Sequence, residues 1–398
     1  MGPLAGLKVI EFAHIMAGPT CGLMLADMGA DVIKLEKVPD GDDTRRSAPP
    51  EIDGESAAFL VMNRNKRGIA VDLKREQGKE IARRLLRTAD VAIENFRKGT
   101  MDRLGLGYDE LRKLNPALIF AEVSGFGRTG PYAERGGFDL VAQGMSGLMS
   151  ITGEGPGRPP VKCGAPMTDI TAGILAAMGV LAAYVHRLKT GEGQRIDTSL
   201  FDAGIVHTYW QSAITFATGE SPGPMGSAHP LNAPYQAFQT ADGWITIGAA
   251  NQTNWLRLVD ALEAAELKDD PRFATNDVRM RNLSALVDTL TPLFKTRKSA
   301  DWLQRFEAAA VPAGPVLNIG QMHTDPQARA REMVVEVAHS RLGKFKTIGA
   351  PVKFSATPGG VQRGAPVLGE HTREVLDEYG YSANEIEDLI ASSIVLAT

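Results

Sequence analysis

The sequence predicts an α/β protein: a large doubly wound domain with a mostly parallel sheet, accompanied by a smaller α+β domain. Two observations carry that reading. Short apolar runs alternate with longer helical patterns through the first 130 residues, which implies right-handed crossovers and a sheet covered on both faces. At 398 residues the chain is also too long for one core, and Gly/Pro-rich stretches at 153–164 and 222–234 offer places to divide it.

The elements follow in order. Residues 7–12 (LKVIEF) read as a strand, and Gly18-Pro19 open a helix to Met28, Pro suiting a first turn where its missing N–H would be unpaired. Strands follow at 31–36, 68–73, 90–96 and 118–124, with helices at 76–88 and 101–114. After the breaker-rich 153–164 comes an apolar helix over 170–188, a turn at 189–193 and a strand at 195–200. A second unit begins near 222–234, with a strand at 244–249 and helices near 255–262, 283–294 and 300–310. The tail returns to short strands at 333–337 and 347–354 and helices at 372–379 and 382–392.

Composition excludes several classes. Hydrophobic residues make up 43% and charged residues 23%, so the chain is globular, not disordered. A net charge of −4 gives no broad surface for nucleic acid. Cys21 and Cys163 are too few for a disulfide framework and fit a reducing compartment. The N-terminus lacks a basic segment followed by an apolar one, so no signal peptide is expected. The most apolar stretch, 170–185, is shorter than the roughly 20 residues a spanning helix needs. A soluble cytoplasmic protein, with no membrane partner, is the expectation. The seven histidines show no metal-ligand spacing, and no metal is expected; no G-x-S-x-G elbow occurs. A G-x-G-x-x-G does, at Gly125, Gly127 and Gly130, but Pro131-Tyr132 follow it where a dinucleotide site needs a helix start. A turn-forming loop is the simpler reading.

Asp169 lies between the Gly/Pro-rich loop and the apolar helix. Its residue type and place support two readings: an N-cap, or a carboxylate held ionised at a helix start and able to attack an activated carbonyl. Around the strand ends stand Lys37, Arg67, Lys74, Arg97 and Arg103. Ligands of open α/β sheets bind outside the carboxyl ends of the strands, so cations there suit a phosphate-bearing ligand, or are solvated surface charge.

Eight segments taken together resemble class III CoA-transferases of the CaiB/BaiF type: LKVIEFAHIMAGP, ADMGADVIKLEKVP, NRNKRGIAVDLK, ADVAIENFRKGTMDRLG, NPALIFAEVSGFGRTGPYAERGGFD, the Asp169 segment, KTGEGQRID and PVLGEHTREVL. They span nearly the whole chain in the family's order. The resemblance implies an interlocked homodimer and a Rossmann-like CoA-binding domain at 1–200. It further implies a linker at 201–224, a small domain at 225–320 and a C-terminal segment, 321–398, returning to the large domain. It makes Asp169 the nucleophile. It assigns CoA to Met16, Ala17, Lys37, Val71, Asp72, Leu73, Lys74, Asn95, Phe96, Arg97 and Arg103. Met16 stands where some transferases carry a glutamine, and the glycine run of formyl-CoA transferases is replaced by MGSAHPLNAPYQ at 225–236. His229 in that segment is a candidate contact for the acceptor acid.

The family's racemases pair the aspartate with a histidine in A-G-H-D, because racemisation needs proton transfer on both faces of a carbon. Here the segment reads Gly136-Gly137-Phe138-Asp139, and phenylalanine has no proton to transfer. The resemblance therefore favours a CoA-transferase using an acyl-CoA thioester as co-substrate, with no permanently bound cofactor. Succinyl-CoA is the expected donor and a small dicarboxylate the expected acceptor, its distal carboxylate met by Arg45, Arg46 or Arg135. A 2-methylacyl-CoA racemase and a non-catalytic acyl-CoA-binding protein are the alternatives.

Overall fold

A computed structural model describes residues 2–398. The chain divides into two compact units. The first comprises Met1–Leu148, Cys163–His207 and Pro326–Thr398; the second comprises Met149–Lys162 and Thr208–Asp325.

The first unit is built on β1 (Lys8–Glu11), α1 (Ala17–Asp27), β2 (Asp31–Glu36), β3 (Arg67–Val71), α2 (Glu76–Leu86), β4 (Val91–Glu94), α3 (Tyr108–Leu114) and β5 (Ile119–Ser124). It continues with α4 (Asp139–Met145), α5 (Met167–Thr190), β6 (Arg195–Ser199), α6 (Leu200–Val206), α7 (Thr372–Glu378), α8 (Ala383–Ala391) and β7 (Val395–Leu396). The sheet runs β7-β3-β2-β1-β4-β5-β6. Every pairing is parallel except β7 on β3, where Val395 faces Val71. The strands read as continuous apolar runs because both faces are covered. Val9, Val32, Val91, Ile93 and Ile119 pack with α1 and α5, while Ile10, Ile33, Ile69, Ala92 and Phe120 pack with α2, α7 and α8.

Helix α5 sits unusually close to α1. A Cβ on Gly173 would fall 2.5 Å from Thr20 Cβ, so only glycine admits the approach. Ala172, Ala176, Ala177 and Ala183 extend the small-residue face, which explains why this helix is long and apolar enough to cross a membrane yet is packed on one side into the core.

The second unit has a three-stranded antiparallel sheet, Ala313–Pro315 beside Trp244–Gly248 beside Tyr235–Gln239. Its core is aromatic: Phe238 stacks on Phe294 with centroids 4.4 Å apart, and Trp302 on Phe306 at 5.4 Å.

Several boundaries differ from the sequence expectation. The 101–114 helix is two pieces, Thr100–Arg103 and α3, interrupted at 104–107. Residues 201–224, expected as linker, contain α6 and a second helix, Tyr209–Thr218. The tail strands form one hairpin, Val334–His339 with Gly343–Ile348, and 349–354 is not strand. The glycine-rich 125–137 is a loop, and the next helix, α4, begins only at Asp139. A Cβ on Gly125 would lie 2.6 Å from Gly137 Cα, so the two ends of that loop meet backbone to backbone.

Candidate active site

The chain runs outward from β1 to β2 and β3, then returns to β4 on the other side of β1. This places the topological switch point between β1 and β4, where α/β sheets bind ligands at the strand C-termini. Four adjacent strands end there, and the residues at and beyond their ends are those assigned to CoA: Val71 closing β3 with Asp72, Leu73 and Lys74 after it, Lys37 after β2, Met16 and Ala17 where the β1 turn enters α1, and Asn95, Phe96 and Arg97 after β4.

Within that edge the side chains differ in freedom. Arg97 and Lys74 are exposed, and Lys37 is exposed with its Nζ 2.6 Å from Asp43 Oδ1. Arg103 ends the short helix after β4 and donates to Thr100 Oγ1 at 3.0 Å. Ala17 and Val71 are buried, so contacts they make with a ligand run through backbone atoms. Asp72 accepts from Lys74 N at 2.9 Å, shaping the turn after β3.

Asp169 lies in the first turn of α5, which begins at Met167, three residues earlier than the sequence suggested. It is therefore not the N-cap. That position belongs to Pro166, which makes no side-chain cap bond. The capping is done from α4: Asp139 Oδ1 accepts from Thr168 N at 3.0 Å and from Thr168 Oγ1 at 2.8 Å. Its other oxygen accepts from Gln143 Nε2 at 2.7 Å, and Gln143 Oε1 accepts from Cys163 N at 2.9 Å. The loop leading to Asp169 is thus fixed through Asp139 and Gln143, neither of which was singled out from sequence.

Freed from capping, Asp169 has no hydrogen bond to its carboxylate among the described residues. Burial, aided by the nearby negative charge of Asp139, pushes it up to about 6. A value near 6 leaves it largely ionised at pH 7, but the surroundings disfavour the charge, whereas the sequence reading has the helix start holding it ionised. Gly173, one turn on, faces Ala17 O and Thr20, so the i, i+4 relation sets Asp169 on the helix face turned toward the start of α1.

At the end of β4 and the glycine-rich loop, a cleft of about 120 Å³ is lined by Asn95, Phe96, Arg97, Arg128, Arg135 and Phe138, among others. Phe138 is 72% exposed at the start of α4. Arg128 locks the glycine-rich loop to β4, pairing with Glu94 and donating to Phe96 O at 3.1 Å. Of the three arginines considered for a distal carboxylate, Arg45 is consumed. It holds Glu36 through two bonds of 2.6 and 2.7 Å, donates to Pro366 O, and lies over Phe59. Arg46 pairs with Asp43 at 2.6 Å and with Asp40 at 3.4 Å. Arg135 rests over the Tyr132 ring at 4.0 Å and has no carboxylate partner among the described residues.

His229 belongs to the second unit. Its ring lies 5.2 Å from Tyr235 and 6.1 Å from Trp210, and its Nδ1 accepts from Leu231 N at 3.0 Å. His14 is one of seven histidines and carries no motif of its own in the sequence. In the structure its ring is 5.4 Å from Phe96, and burial with the neighbouring Lys34 ammonium lowers its pKa, keeping it neutral. Among the described residues no group of three His, Cys, Asp or Glu side chains is arranged to hold a metal ion.

A doubly wound sheet, with a carboxylate free of hydrogen bonds among the described residues on the helix that packs against the β1–α1 turn, is the frame in which the comparisons fall. The model of CoA-transferase family III matches residues 4–372, and the chain belongs to that family. It is 43% identical to a succinate–glutarate CoA-transferase of Agrobacterium fabrum over 94% of this chain and 95% of that one. It is 36% identical to a mouse succinyl-CoA:glutarate CoA-transferase over 99% and 91% of the two chains. The solved structure of a CaiB/BaiF family protein from Brucella suis superposes with a TM-score of 0.85 at 41% identity, covering 95% of this chain and 99% of that one.

Proposed function

We propose that this enzyme moves CoA from succinyl-CoA to a small dicarboxylic acid through covalent adducts of Asp169. The observation that carries the reading is the Asp169 carboxylate itself, which is ionised, partly buried, without a hydrogen-bond partner among the described residues, and set at a helix start facing the β1–α1 turn. The names of the relatives support the donor and acceptor class.

An Asp169 oxygen attacks the thioester carbonyl carbon, the C–S bond breaks, and an acyl–aspartyl anhydride forms beside the CoA thiolate. The thiolate then attacks Asp169 Cγ, releasing succinate and leaving an aspartyl-CoA thioester. The acceptor carboxylate attacks Cγ, expelling the thiolate, which takes the new acyl group and frees Asp169. No proton changes hands in any step, so the site needs no general acid or base. Phe138, where the family's racemases carry histidine, fits that requirement. Backbone N–H groups in the glycine-rich loop supply stabilisation for the oxyanions, Thr168 N at the start of α5 being already taken by Asp139, and excluding water protects both intermediates.

We assign CoA to Met16, Ala17, Lys37, Val71, Asp72, Leu73, Lys74, Asn95, Phe96, Arg97 and Arg103, supported by their gathering at one sheet edge. Arg135 and Phe138 flank the acid, Arg135 being free of carboxylates, and His229 is the second unit's candidate contact. The setting we propose is a soluble, cytoplasmic, interlocked homodimer with the first unit as its CoA-binding body. The outward apolar side chains of α5 (Ile174, Met178, Val185 and Leu188) support a covering partner copy.

Purified protein incubated with succinyl-CoA and a panel of acids, read by mass spectrometry, tests the reaction. New thioesters that vanish with Asp169→Ala are expected. No exchange with any acid, together with deuterium uptake next to the carbonyl of a 2-methylacyl-CoA, would replace the transferase with an isomerase.

A further inference from the structure

The turn between β1 and α1 is held in a backbone conformation its sequence disfavours. Ile15 has φ 68°, in the left-handed region, where a β-branched residue is a genuine outlier. Left-handed backbone is disfavoured for an ordinary L-residue because Cβ crowds the carbonyl oxygen, so something must compensate. The surroundings show what does. Ile15 N donates to both carboxylate oxygens of Asp42 at 3.1 and 3.3 Å. Asp42 is fully buried, and its charge is answered by Lys34 Nζ at 2.8 Å. Lys34, itself fully buried, donates to Ala13 O at 2.7 Å and pairs with Glu11 at 3.0 Å. Asn95 completes the clasp from β4, accepting from His14 N at 2.9 Å and donating to His14 O at 2.7 Å.

Asp42 also accepts from Thr44 N and Thr44 Oγ1 and so shapes the loop carrying Asp43, the partner of Lys37. One carboxylate therefore ties together the ends of β1 and β2, while Asn95 ties β1 to β4. These are three of the four strand ends that gather the CoA residues. We propose that Asp42, backed by Lys34, is a positioning residue for acyl-CoA: it holds Ile15 left-handed so that Met16 and Ala17 present their backbone to the thioester end of the cofactor. The inference rests on the assignment of Met16 and Ala17 to CoA.

The strain makes the idea testable in a way that a general loss of stability does not imitate. With Asp42→Ala, Ile15 loses its acceptor and relaxes from the left-handed form. The binding-competent fraction falls, and apparent affinity falls with it. KM for succinyl-CoA is expected to rise roughly tenfold with kcat within about twofold of the parent. Adding Ile15→Gly, which removes the steric penalty, should return KM to within about threefold. Asp42→Asn keeps an acceptor oxygen for Ile15 N but loses the charge paired with Lys34, so its KM should fall between those of the parent and Asp42→Ala. If Asp42→Ala does not fold, Lys34→Met/Asp42→Ala leaves no unpaired ammonium, and the same comparison is made with and without Ile15→Gly.

Hydrogen exchange at the Ile15 amide separates the two ways to fail. A raised KM that glycine does not restore overturns the positioning role. Faster exchange at Ile15 with KM unchanged overturns the assignment of the turn to CoA, and the inference with it. Unchanged exchange and unchanged KM overturn the clasp.

Discussion

Asp42 and Asp169 are the same residue type in the same unit, and their surroundings are opposite. Asp42 is fully buried and saturated: Oδ1 accepts from Ile15 N, Thr44 N and Thr44 Oγ1, Oδ2 meets Lys34, and the Lys34 ammonium above all holds its carboxyl far below the ordinary range. Asp169 is only partly buried, yet it accepts nothing and faces the like charge of Asp139, so it is pushed up to about 6. Burial acts on both; partners decide the sign. A satisfied carboxylate is architecture, whereas an unsatisfied one keeps its electrons available for an electrophile.

Four measurements can break or sharpen that contrast. The largest effect is expected for Asp169→Ala, which should cost about a thousandfold or more in kcat while the protein stays folded. Residual turnover within tenfold of the parent would return Asp169 to a structural role. Next comes Lys34→Ala, which strips charge from the saturated cluster. Glu11 would keep only Lys66, and Asp42 would lose its direct ion-pair partner. Breaking a buried pair this way costs about 3–5 kcal/mol, to be read by denaturant unfolding. A loss no greater than the ~1 kcal/mol of a surface pair would refute the importance of the cluster.

Asp169→Asn, in contrast, should stabilise the protein. Its folded pKa lies above its unfolded one, so the group favours folding at low pH. That advantage is lost as pH rises through about 6, leaving a penalty at neutral pH. Removing the charge should recover on the order of 2 kcal/mol, seen as a higher unfolding temperature at pH 7 that shrinks toward pH 4. The same elevation sets an acid limb in kcat/KM near pH 6, because the protonated carboxyl is not a nucleophile. The smallest effect belongs to Asp139→Asn, which keeps an acceptor for Thr168 but removes the like charge. It should move that limb down without reaching the ordinary aspartate value, since burial is the larger cause. Asp139→Ala should add about 1 kcal/mol of lost capping. An unmoved limb would mean that Asp139 acts only as a cap.

Much of the first unit was legible in the chain because β1 to β5 are buried on both faces, and that burial forces apolar runs visible in any window. What escaped reading depended on partners distant in sequence. Asp139 caps a helix that starts 28 residues later, so the helix start carries no local capping signature, and Asp169 looked like the cap it is not. Asp42 lies in a run of charges, GDDTRR, that reads as solvated surface, yet it is fully buried under Lys34. The site residues of the CoA edge came from the family pattern. Their gathering follows from strand order, which the alternating pattern does not specify.

One feature of the sheet reaches beyond the active site. The β3 edge is closed only when Val395 and Leu396 pair antiparallel with Val71 and Ala70. During synthesis, residues 67–71 leave the ribosome long before that partner exists, and the whole of the second unit is made in between. At about 5–20 residues per second the nascent sheet waits many seconds with an open edge, a template for pairing with other chains. The last strand is thus a late safety catch. A premature stop a few codons early would leave the Asp169 segment intact and produce a protein that fails by aggregation rather than by chemistry.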